Sequence, residues 1–297
     1  MASAPVATFI LFTCVCFRRR LTKFIRMLTI TETPVQLHEL LSTQQLEFFR
    51  RNGYLHIKQF VDRSTVQSFL ADIDRVEAEW LAEGIDKING TPIKFGHDET
   101  GRRIVQRFAF TSHYSPLLTE FLADERLQAL TQLLTPYEGR ISPEEKDGLV
   151  VNHYVRASES SFSRMGWHTD SPRDLFLGGR IRPMLNVGLH LDDCPQSNGG
   201  LRVLPGTHRQ STLLTLFRKR QFIDHRPDRR EVGFDIEAGD LTIHDGNLWH
   251  RVEQSPHIGA ASRRRVMYIP IITGDYQPKD ASSRTPFYHR FAKRIQD

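Results

Sequence analysis

The chain has 297 residues, of which 39% are hydrophobic and 25% are charged; these values are ordinary for a soluble globular protein and exclude a chain that is disordered throughout. The formal charge of +5 arises in the first 26 residues, which carry five basic side chains and no acidic one. Because the remainder has no net charge and no basic groove motif with interleaved aromatic residues, we expect no binding to nucleic acid.

Residues 1–26 form an apolar stretch followed by a basic run. The apolar part is too short for a transmembrane helix, and a secretory signal would have its charges before it. We therefore predict no transmembrane span, and we expect a leader or upstream extension outside the core, with Met27 as the natural start and residues 27–297 as a single domain. The alternative is a weak membrane-surface or targeting leader. Only Cys194 of the three cysteines lies in that domain, which favours a reducing, cytoplasmic setting.

Helical patterns dominate the front of this domain. Thr43 is the predicted N-cap of a helix over residues 44–51, which Gly53 ends before a short apolar alternation over residues 54–57. Asp62 is the predicted N-cap of a longer helix whose apolar residues recur at spacings of three and four. The sequence therefore predicts two helices with a short strand between them.

A third helix is predicted over residues 116–134, whereas residues 91–108 have little periodicity and are typical of a loop or lid with a possible strand. From Leu149 onward the sequence changes to short alternating segments separated by Gly, Pro, Asn and Asp, which favours a sandwich or barrel. The predicted strands are residues 149–155, 184–191, 201–204, 233–236, 241–244, 249–253 and 264–272.

The segment from Gly166 to Asp170 places His168 and Asp170 two residues apart. In extended backbone both side chains leave the same face, so both can reach one ion. Two histidines and one carboxylate with open positions suit non-haem Fe(II) oxygen chemistry, and His250 is the best third ligand. It follows the Asp245-Gly246 turn, on a segment that we expect to pair antiparallel with residues 241–244.

Isolated His and Asp residues are more often hydrogen-bonded pairs than metal ligands. His190 and Asp192 have the same spacing as His168 and Asp170, but they end an alternating strand and run into a turn, where a solvated strand end is the simpler interpretation. His244 fits a buried strand histidine. The basic and acidic run over residues 218–230 is predicted to be a solvated insertion, with an anionic-substrate contact as the alternative.

With these residues assembled, the chain resembles the phytanoyl-CoA dioxygenase family from about Leu40 to Ile272. The resemblance rests on motifs in the family's order: Gln45–Ile57, Gly166–Asp170, Leu191–Asp193, Asn198–His208 and Gly239–His250. It implies an α+β, mainly β fold, a double-stranded β-helix (jelly roll, cupin-like) core with N-terminal helices packed on it. It also implies an Fe(II)- and 2-oxoglutarate-dependent dioxygenase that hydroxylates a small or medium organic substrate, with O₂ split between substrate and succinate.

Members of the family bind the distal carboxylate of 2-oxoglutarate with an arginine on the strand after the second histidine, because a guanidinium matches a carboxylate bidentately. Among Arg263, Arg264 and Arg265, the family pattern selects Arg264, and alternation places the other two on the opposite face. The resemblance adds Asn152, Asn186 and Gln106 as further co-substrate contacts, each of which also fits a structural role.

Gly188 stands where the family often has a tryptophan, which predicts a roomier or differently shaped pocket. Two other functions stay open from the sequence. One is a cupin-like metalloenzyme that uses Zn²⁺ or Mn²⁺ without 2-oxoglutarate, and the other is a non-catalytic relative that keeps only the fold.

Overall fold

The computed structural model describes residues 35–157, 160, 162–171 and 181–285. The predicted leader, residues 1–26, lies outside the described residues. The elements are numbered along this part of the chain, and short 3₁₀ helices are left unlabelled. The helices are α1 (Leu37–Leu40), α2 (Thr43–Asn52), α3 (Arg63–Glu83), α4 (Pro116–Leu122), α5 (Glu125–Ala129) and α6 (Thr212–Phe217).

The front helices begin and end as their capping residues dictate, with one correction. The N-cap of α2 is Ser42, not Thr43: its hydroxyl accepts the Gln45 N–H at 3.2 Å, and the Gln45 side chain accepts the Ser42 N–H at 2.9 Å. Gly53 ends the helix at φ 81°, a conformation that glycine adopts without steric cost. Asp62 caps α3 as predicted.

The predicted third helix is broken into two. After α4, the Asp124 carboxylate accepts the N–H of Arg126 at 2.9 Å and starts α5 as a new N-cap. A 3₁₀ turn over Leu130–Leu134 then completes the segment. A residue that caps a helix competes with continuing one, so the apolar spacing alone overestimated the length of this helix.

The strands are β1 (Tyr54–Ile57), β2 (Lys87–Ile88), β3 (Thr91–Pro92), β4 (Lys94–His97), β5 (Arg103–Arg107), β6 (Arg140–Ile141), β7 (Val150–Arg156), β8 (Met165–His168), β9 (Met184–His190), β10 (Gly200–Val203), β11 (Val232–Gly233), β12 (Leu241–Asp245), β13 (His250–Glu253) and β14 (Gly259–Ile272). Most belong to two antiparallel sheets. The major sheet runs in the order β1-β12-β9-β14-β7-β5-β4, with β6 beside β14, and the minor sheet in the order β11-β10-β13-β8. This is the strand order of a double-stranded β-helix.

The segment predicted as a loop or lid with a possible strand contains that strand, β5, and pairs it with a second one, β4, in a hairpin. Strands β4 and β5 pair at the edge of the major sheet. The Asp98 carboxylate forms the turn by accepting the N–H groups of Thr100 and Arg102, and the buried Glu77 of α3 accepts the N–H of Val105 at 2.7 Å. These side chain to backbone hydrogen bonds leave no trace in hydrophobic periodicity.

The expected pairing of the His250 segment with residues 241–244 is wrong. Strand β12 pairs with β1 and β9 in the major sheet, whereas β13 pairs with β10 and β8 in the minor sheet. The turn at Asp245, where the Leu248 N–H donates to the Asp245 carbonyl at 2.9 Å, carries the chain across from one sheet to the other. Leu248 and Trp249 are fully buried on this crossing. A tight hairpin within one sheet would have exposed them.

The two faces of the major sheet differ in polarity. One face contributes alternate apolar residues to the largest core cluster, which also contains the apolar stripe of α3. The opposite face presents polar side chains at the intervening positions of β7, β9, β12 and β14: Asn152, Tyr154, Asn186, His190, Thr242, His244, Arg264 and Tyr268. So many polar side chains inside a sandwich are costly unless they have partners or a ligand.

No helix in the described ranges is long and apolar enough to cross a membrane.

Candidate active site

Three side chains converge where β8 and β13 meet. His168 is the last residue of β8 and lies directly across from His250, the first residue of β13, with ring centroids 4.0 Å apart. The chain then bends, and the N–H groups of Asp170 and Ser171 both donate to the Gly246 carbonyl, at 2.8 and 3.0 Å. The bend brings the Asp170 carboxylate within 3.9 Å of His168 Nε2 and 3.8 Å of His250 Nε2.

One potential ligand atom from each of His168, Asp170 and His250 lies within 4.8 Å of the others. Both histidines are held in the same way, since each Nδ1 lies 2.9 Å from a backbone carbonyl oxygen two residues earlier, that of Gly166 or Leu248. These Nδ1–H groups donate, so both Nε2 lone pairs are free to bind an ion. The donor set is the facial triad that suits non-haem iron.

The charges of this group also suit a metal ion. Burial lowers the pKa of His168, and burial together with His168 and His244 lowers the pKa of His250 further. Burial alone would raise the pKa of Asp170, but the neighbouring His250, His244 and His168 hold it well below its usual range. At neutral pH the group therefore consists of neutral imidazoles and a carboxylate, the protonation states that metal binding requires.

Arg264 points into the space between the sheets and is 6% exposed. Its two terminal nitrogens donate to the carbonyls of Glu253 at 2.7 Å and Ser163 at 3.0 Å, and its Nε is buried without a partner. These bonds use two of the five N–H groups of the guanidinium. Burial lowers the pKa of Arg264, and no carboxylate of the described residues forms an ion pair with it.

The neighbouring arginines have partners on the other face, as alternation predicts. Arg263 forms an ion pair with Glu99 at 3.3 Å. Arg265 makes a bidentate pair with Asp192, at 2.7 and 2.9 Å. Of the three, only Arg264 lies in the inter-sheet space with its charge unpaired in the part of the chain that the structure describes.

The three predicted secondary contacts have different surroundings. Asn186 lies beside the metal-ligand group, where its Nδ2 donates to Asp170 Oδ2 at 3.2 Å. Asn152 donates to the Tyr154 hydroxyl at 3.2 Å, and its Oδ1 is buried without a partner. Gln106 donates to the Ser160 hydroxyl at 2.6 Å and, more weakly, to the Phe162 carbonyl at 3.5 Å, so its hydrogen bonds lie away from the metal-ligand group.

No residue of 218–230 is buried, as predicted for a solvated segment, but the segment also covers the free edge of β8. The Phe222 N–H donates to the Trp167 carbonyl at 2.8 Å, and the Trp167 N–H donates to the Asp224 carbonyl at 2.7 Å. Gln221 accepts the Thr169 N–H at 3.1 Å, between the two ligands of the motif. The Phe222 ring stacks on His168 with centroids 4.6 Å apart. The segment is rich in charged residues of both signs, and this composition does not indicate the contacts made by Phe222 and Gln221.

One expectation about β9 also needs correction, and the structure adds detail to a second. His190 is not a solvated strand end but a buried residue, whose Nε2 lies 2.9 Å from the Thr242 hydroxyl. The space left at Gly188 is filled from β14, since a Cβ at this position would lie 3.0 Å from Cε1 of Tyr268. Tyr268 therefore lies against Gly188, which agrees with the second form of the prediction, a pocket of different shape.

The sequence profile of the family described as "Phytanoyl-CoA dioxygenase (PhyH)" matches residues 49–264. The chain belongs to this family. The match includes His168, Asp170, His250 and Arg264, so the residues assembled between the sheets all lie in the part that defines membership of the phytanoyl-CoA dioxygenase family. A comparison with curated protein sequences found no match.

Solved structures with the same fold include several iron and 2-oxoglutarate enzymes. The non-haem α-ketoglutarate-dependent carbocyclase SnoK from nogalamycin biosynthesis is 19% identical, with a TM-score of 0.58 over 89% of this chain and 94% of that one. HygX from Streptomyces hygroscopicus, with nickel and 2-oxoglutarate bound, is 16% identical, with a TM-score of 0.56 over 80% and 89%. EctD from S. alaskensis, with bound Fe, is 18% identical, with a TM-score of 0.60 over 81% and 80%.

Proposed function

We propose that this protein is an Fe(II)- and 2-oxoglutarate-dependent dioxygenase that hydroxylates a small or medium organic substrate. His168, Asp170 and His250 would hold the metal ion, and Arg264 would bind the distal carboxylate of 2-oxoglutarate. Membership of the family supports this assignment, as does the 2-oxoglutarate and metal bound in the structure of HygX.

The observation that carries the proposal is the unpaired charge of Arg264 in the same inter-sheet space as the three ligands. A buried charge without a counter-ion is destabilising unless it binds one. The guanidinium keeps three N–H groups beyond its two bonds to backbone carbonyls, enough for a bidentate carboxylate. One of these three, the Nε–H of Arg264, is buried without a partner. A dicarboxylate that reaches from the metal ligands toward Arg264 fits these groups.

When bound, iron(II), 2-oxoglutarate and O₂ together supply an oxidation in which one oxygen atom enters succinate with loss of CO₂ and the other enters the substrate. The protein contributes geometry and exclusion of water. Gly166 and Leu248 carbonyls orient the two imidazoles, and Asn186 orients the Asp170 carboxylate. Trp167 and Trp249, each next to one of these histidines, are fully buried and pack together with Leu204.

The test is turnover of 2-oxoglutarate. Purified protein with Fe(II), ascorbate and O₂ should form succinate from 2-oxoglutarate, slowly without substrate and faster in a screen that contains the true substrate. His168→Ala should abolish both rates. Succinate formation that is unchanged in His168→Ala would contradict the proposal, and no oxidised product from any accelerating compound would contradict hydroxylation.

A cupin-like metalloenzyme without 2-oxoglutarate predicts that Arg264→Ala leaves activity unchanged, whereas our proposal predicts a large rise in the 2-oxoglutarate requirement. A non-catalytic relative predicts no succinate from any preparation. The unpaired Arg264 favours neither alternative, because both leave the buried charge without a ligand.

The organisation of the whole chain and its location are also proposals. We infer that residues 27–297 form the functional domain, that residues 1–26 lie outside its core, and that the protein works in the reducing cytoplasm. Mass spectrometry of the N-terminus from the native host tests the boundary, with Met27 as the expected first residue. Fractionation of the same cells tests the location.

A further inference from the structure

A fourth histidine lies against the metal-ligand group. His244, on β12, is 1% exposed, and its ring centroid is 4.2 Å from that of His250. Its Nε2 lies 3.4 Å from Asp170 Oδ2. This distance is longer than a well-formed hydrogen bond, and neither ring nitrogen has a hydrogen-bond partner among the described residues. A buried imidazole without a hydrogen-bond partner is destabilising.

The neighbouring buried histidine on the same face is different. His190 Nε2 has the Thr242 hydroxyl at 2.9 Å as a hydrogen-bond partner, so this nitrogen is satisfied within the sheet and needs no ligand. His244 has an equally buried position, but its Nε2 lies 3.4 Å from the carboxylate of a proposed metal ligand. The sheet gives His244 no hydrogen-bond partner, so the reason for its position lies in the neighbouring metal-ligand group.

His244 is placed to orient Asp170 rather than to bind the metal ion directly. The potential ligand atoms that lie within 4.8 Å of one another come from His168, Asp170 and His250, and His244 is not among them. Strands β12 and β9 pair with His244 opposite Asn186, so both residues approach the carboxylate from the same row of the sheet. Asn186 Nδ2 and His244 Nε2 both reach Oδ2, at 3.2 and 3.4 Å.

We propose that His244 is a positioning residue that donates its Nε2–H to Asp170 Oδ2. Together with Asn186 it holds this oxygen, so that the carboxylate presents its other oxygen, Oδ1, to the metal ion as a single-atom ligand. This inference rests on the proposed function, because it assumes that Asp170 is a metal ligand. Hydrogen-bond partners of ligating residues commonly contribute 10- to 100-fold to metal affinity.

The experiment measures Co(II) binding by the purified protein without 2-oxoglutarate, by titration of the visible absorption of the bound ion. His244→Leu removes the donor, and His244→Gln keeps an N–H group at similar reach. His190→Leu is the matched control, because it removes a buried histidine from the same sheet face without touching Asp170. Thermal unfolding of each variant reports on folding separately.

We expect His244→Leu to raise the Kd for Co(II) by about 10- to 100-fold and to change the absorption spectrum of the bound ion, as a change in carboxylate coordination would. His244→Gln should restore most of the affinity, and His190→Leu should stay within about threefold of the wild type. If His244→Leu does not fold, the same comparison is made between His244→Gln and His244→Met, which are similar in length but differ in the donor.

Wild-type affinity and spectrum in the folded variants that lack the donor would overturn the role of His244. An equal loss in His244→Leu and His190→Leu would also overturn it, because the effect would then come from the sheet. If the wild-type protein itself binds no Co(II), or binds Co(II) equally well when His168 is replaced by Ala, the proposed function fails instead.

Discussion

Two segments of the chain contain histidine and aspartate two residues apart, and the two pairs have different partners in the fold. His168 and Asp170 stand at the end of β8, where the strand stops and a bend returns the carboxylate to the imidazole. His190 and Asp192 stand at the end of β9, where the histidine binds Thr242 and the aspartate pairs with Arg265 across the sheet. In the second pair the two side chains have separate partners, Thr242 and Arg265, and do not meet.

What separates the two pairs is the residue on the neighbouring strand. His168 lies directly opposite His250 of β13, so a second imidazole completes the ligand set. His190 faces Val266 across β14, which offers no ligand. The spacing of two residues is therefore a weak predictor of a metal site, and strand register decides between the two pairs.

The largest expected effect comes from replacing each aspartate with asparagine. Asp170→Asn should weaken binding of Fe(II) or Co(II) by at least about 100-fold, because it removes the charged ligand of the set. Asp192→Asn should leave metal affinity unchanged and lower the free energy of unfolding by about 1–3 kcal/mol, because it breaks a charge-assisted pair with Arg265. Metal titration and urea unfolding measure the two effects. Similar metal affinities for both variants would remove the distinction between the two pairs.

The arginines extend the same comparison. Arg264→Lys should raise the KM for 2-oxoglutarate about 10- to 100-fold, because an ammonium cannot form two parallel bonds to a carboxylate. Arg265→Lys serves as the control, since this residue pairs with Asp192 on the opposite face. Its KM for 2-oxoglutarate should stay within about twofold of the wild type. The reverse order of effects would mean that Arg265, and not Arg264, binds 2-oxoglutarate.

The buried histidines of the sheet predict a loss of stability in acid. Burial lowers the pKa of His190 and of His153 to about 3. Below about pH 6.5 the unfolded chain binds protons that the folded chain excludes until about pH 3, so each histidine removes about 1.4 kcal/mol of stability per pH unit in this window. Urea unfolding of metal-free protein from pH 7 to pH 4 measures the slope.

His190→Gln removes one of these histidines. The slope of the free energy of unfolding against pH should therefore be smaller than in the wild type by about 1.4 kcal/mol per pH unit, the contribution of one proton. A slope that does not change would show that His190 is protonated in the folded state, and its bond to Thr242 would then need a different interpretation.

The smallest effect is expected from the ring that covers His168. Phe222→Ala should raise the Kd for the metal ion by about 2- to 10-fold, because a stacked aromatic pair contributes about 0.5–1.5 kcal/mol to fixing the imidazole. Ile223→Ala is the control, since this residue is as exposed as Phe222, 50% against 47%, but has no ring to stack on His168. Isothermal titration with Co(II) compares the two variants. Equal affinities would mean that the covering segment does not stabilise the ligand.

The sequence could predict the elements whose signals are local. Gly53 and Asp62 ended and began helices where expected, and most β-strands from Val150 onward lie within two residues of the predicted bounds. The jelly-roll architecture followed from the resemblance rather than from periodicity, because alternation gives the faces of a strand but not its neighbours. That limit explains the wrong partner assigned to the His250 segment.

The same limit applies to the site: residues with a local motif were predictable, and residues that depend on distant contacts were not. His168 and Asp170 share a local motif, and Arg264 follows from the family pattern and alternation. His244 and Gln221 could not be found in this way, because their roles come from contacts with Asp170 and Thr169 that only the folded chain creates. A histidine six residues before His250 was visible in the sequence, but a buried strand histidine was an equally good interpretation.

The central claim is that one site holds both Fe(II) and 2-oxoglutarate, and anaerobic absorption spectroscopy tests it most directly. Adding both to the wild-type protein should produce a weak visible charge-transfer band that neither produces alone. The band should be absent in His168→Ala and should require far more 2-oxoglutarate in Arg264→Lys. A wild-type protein that shows no band at saturating concentrations, or a band that persists in His168→Ala, would contradict the account.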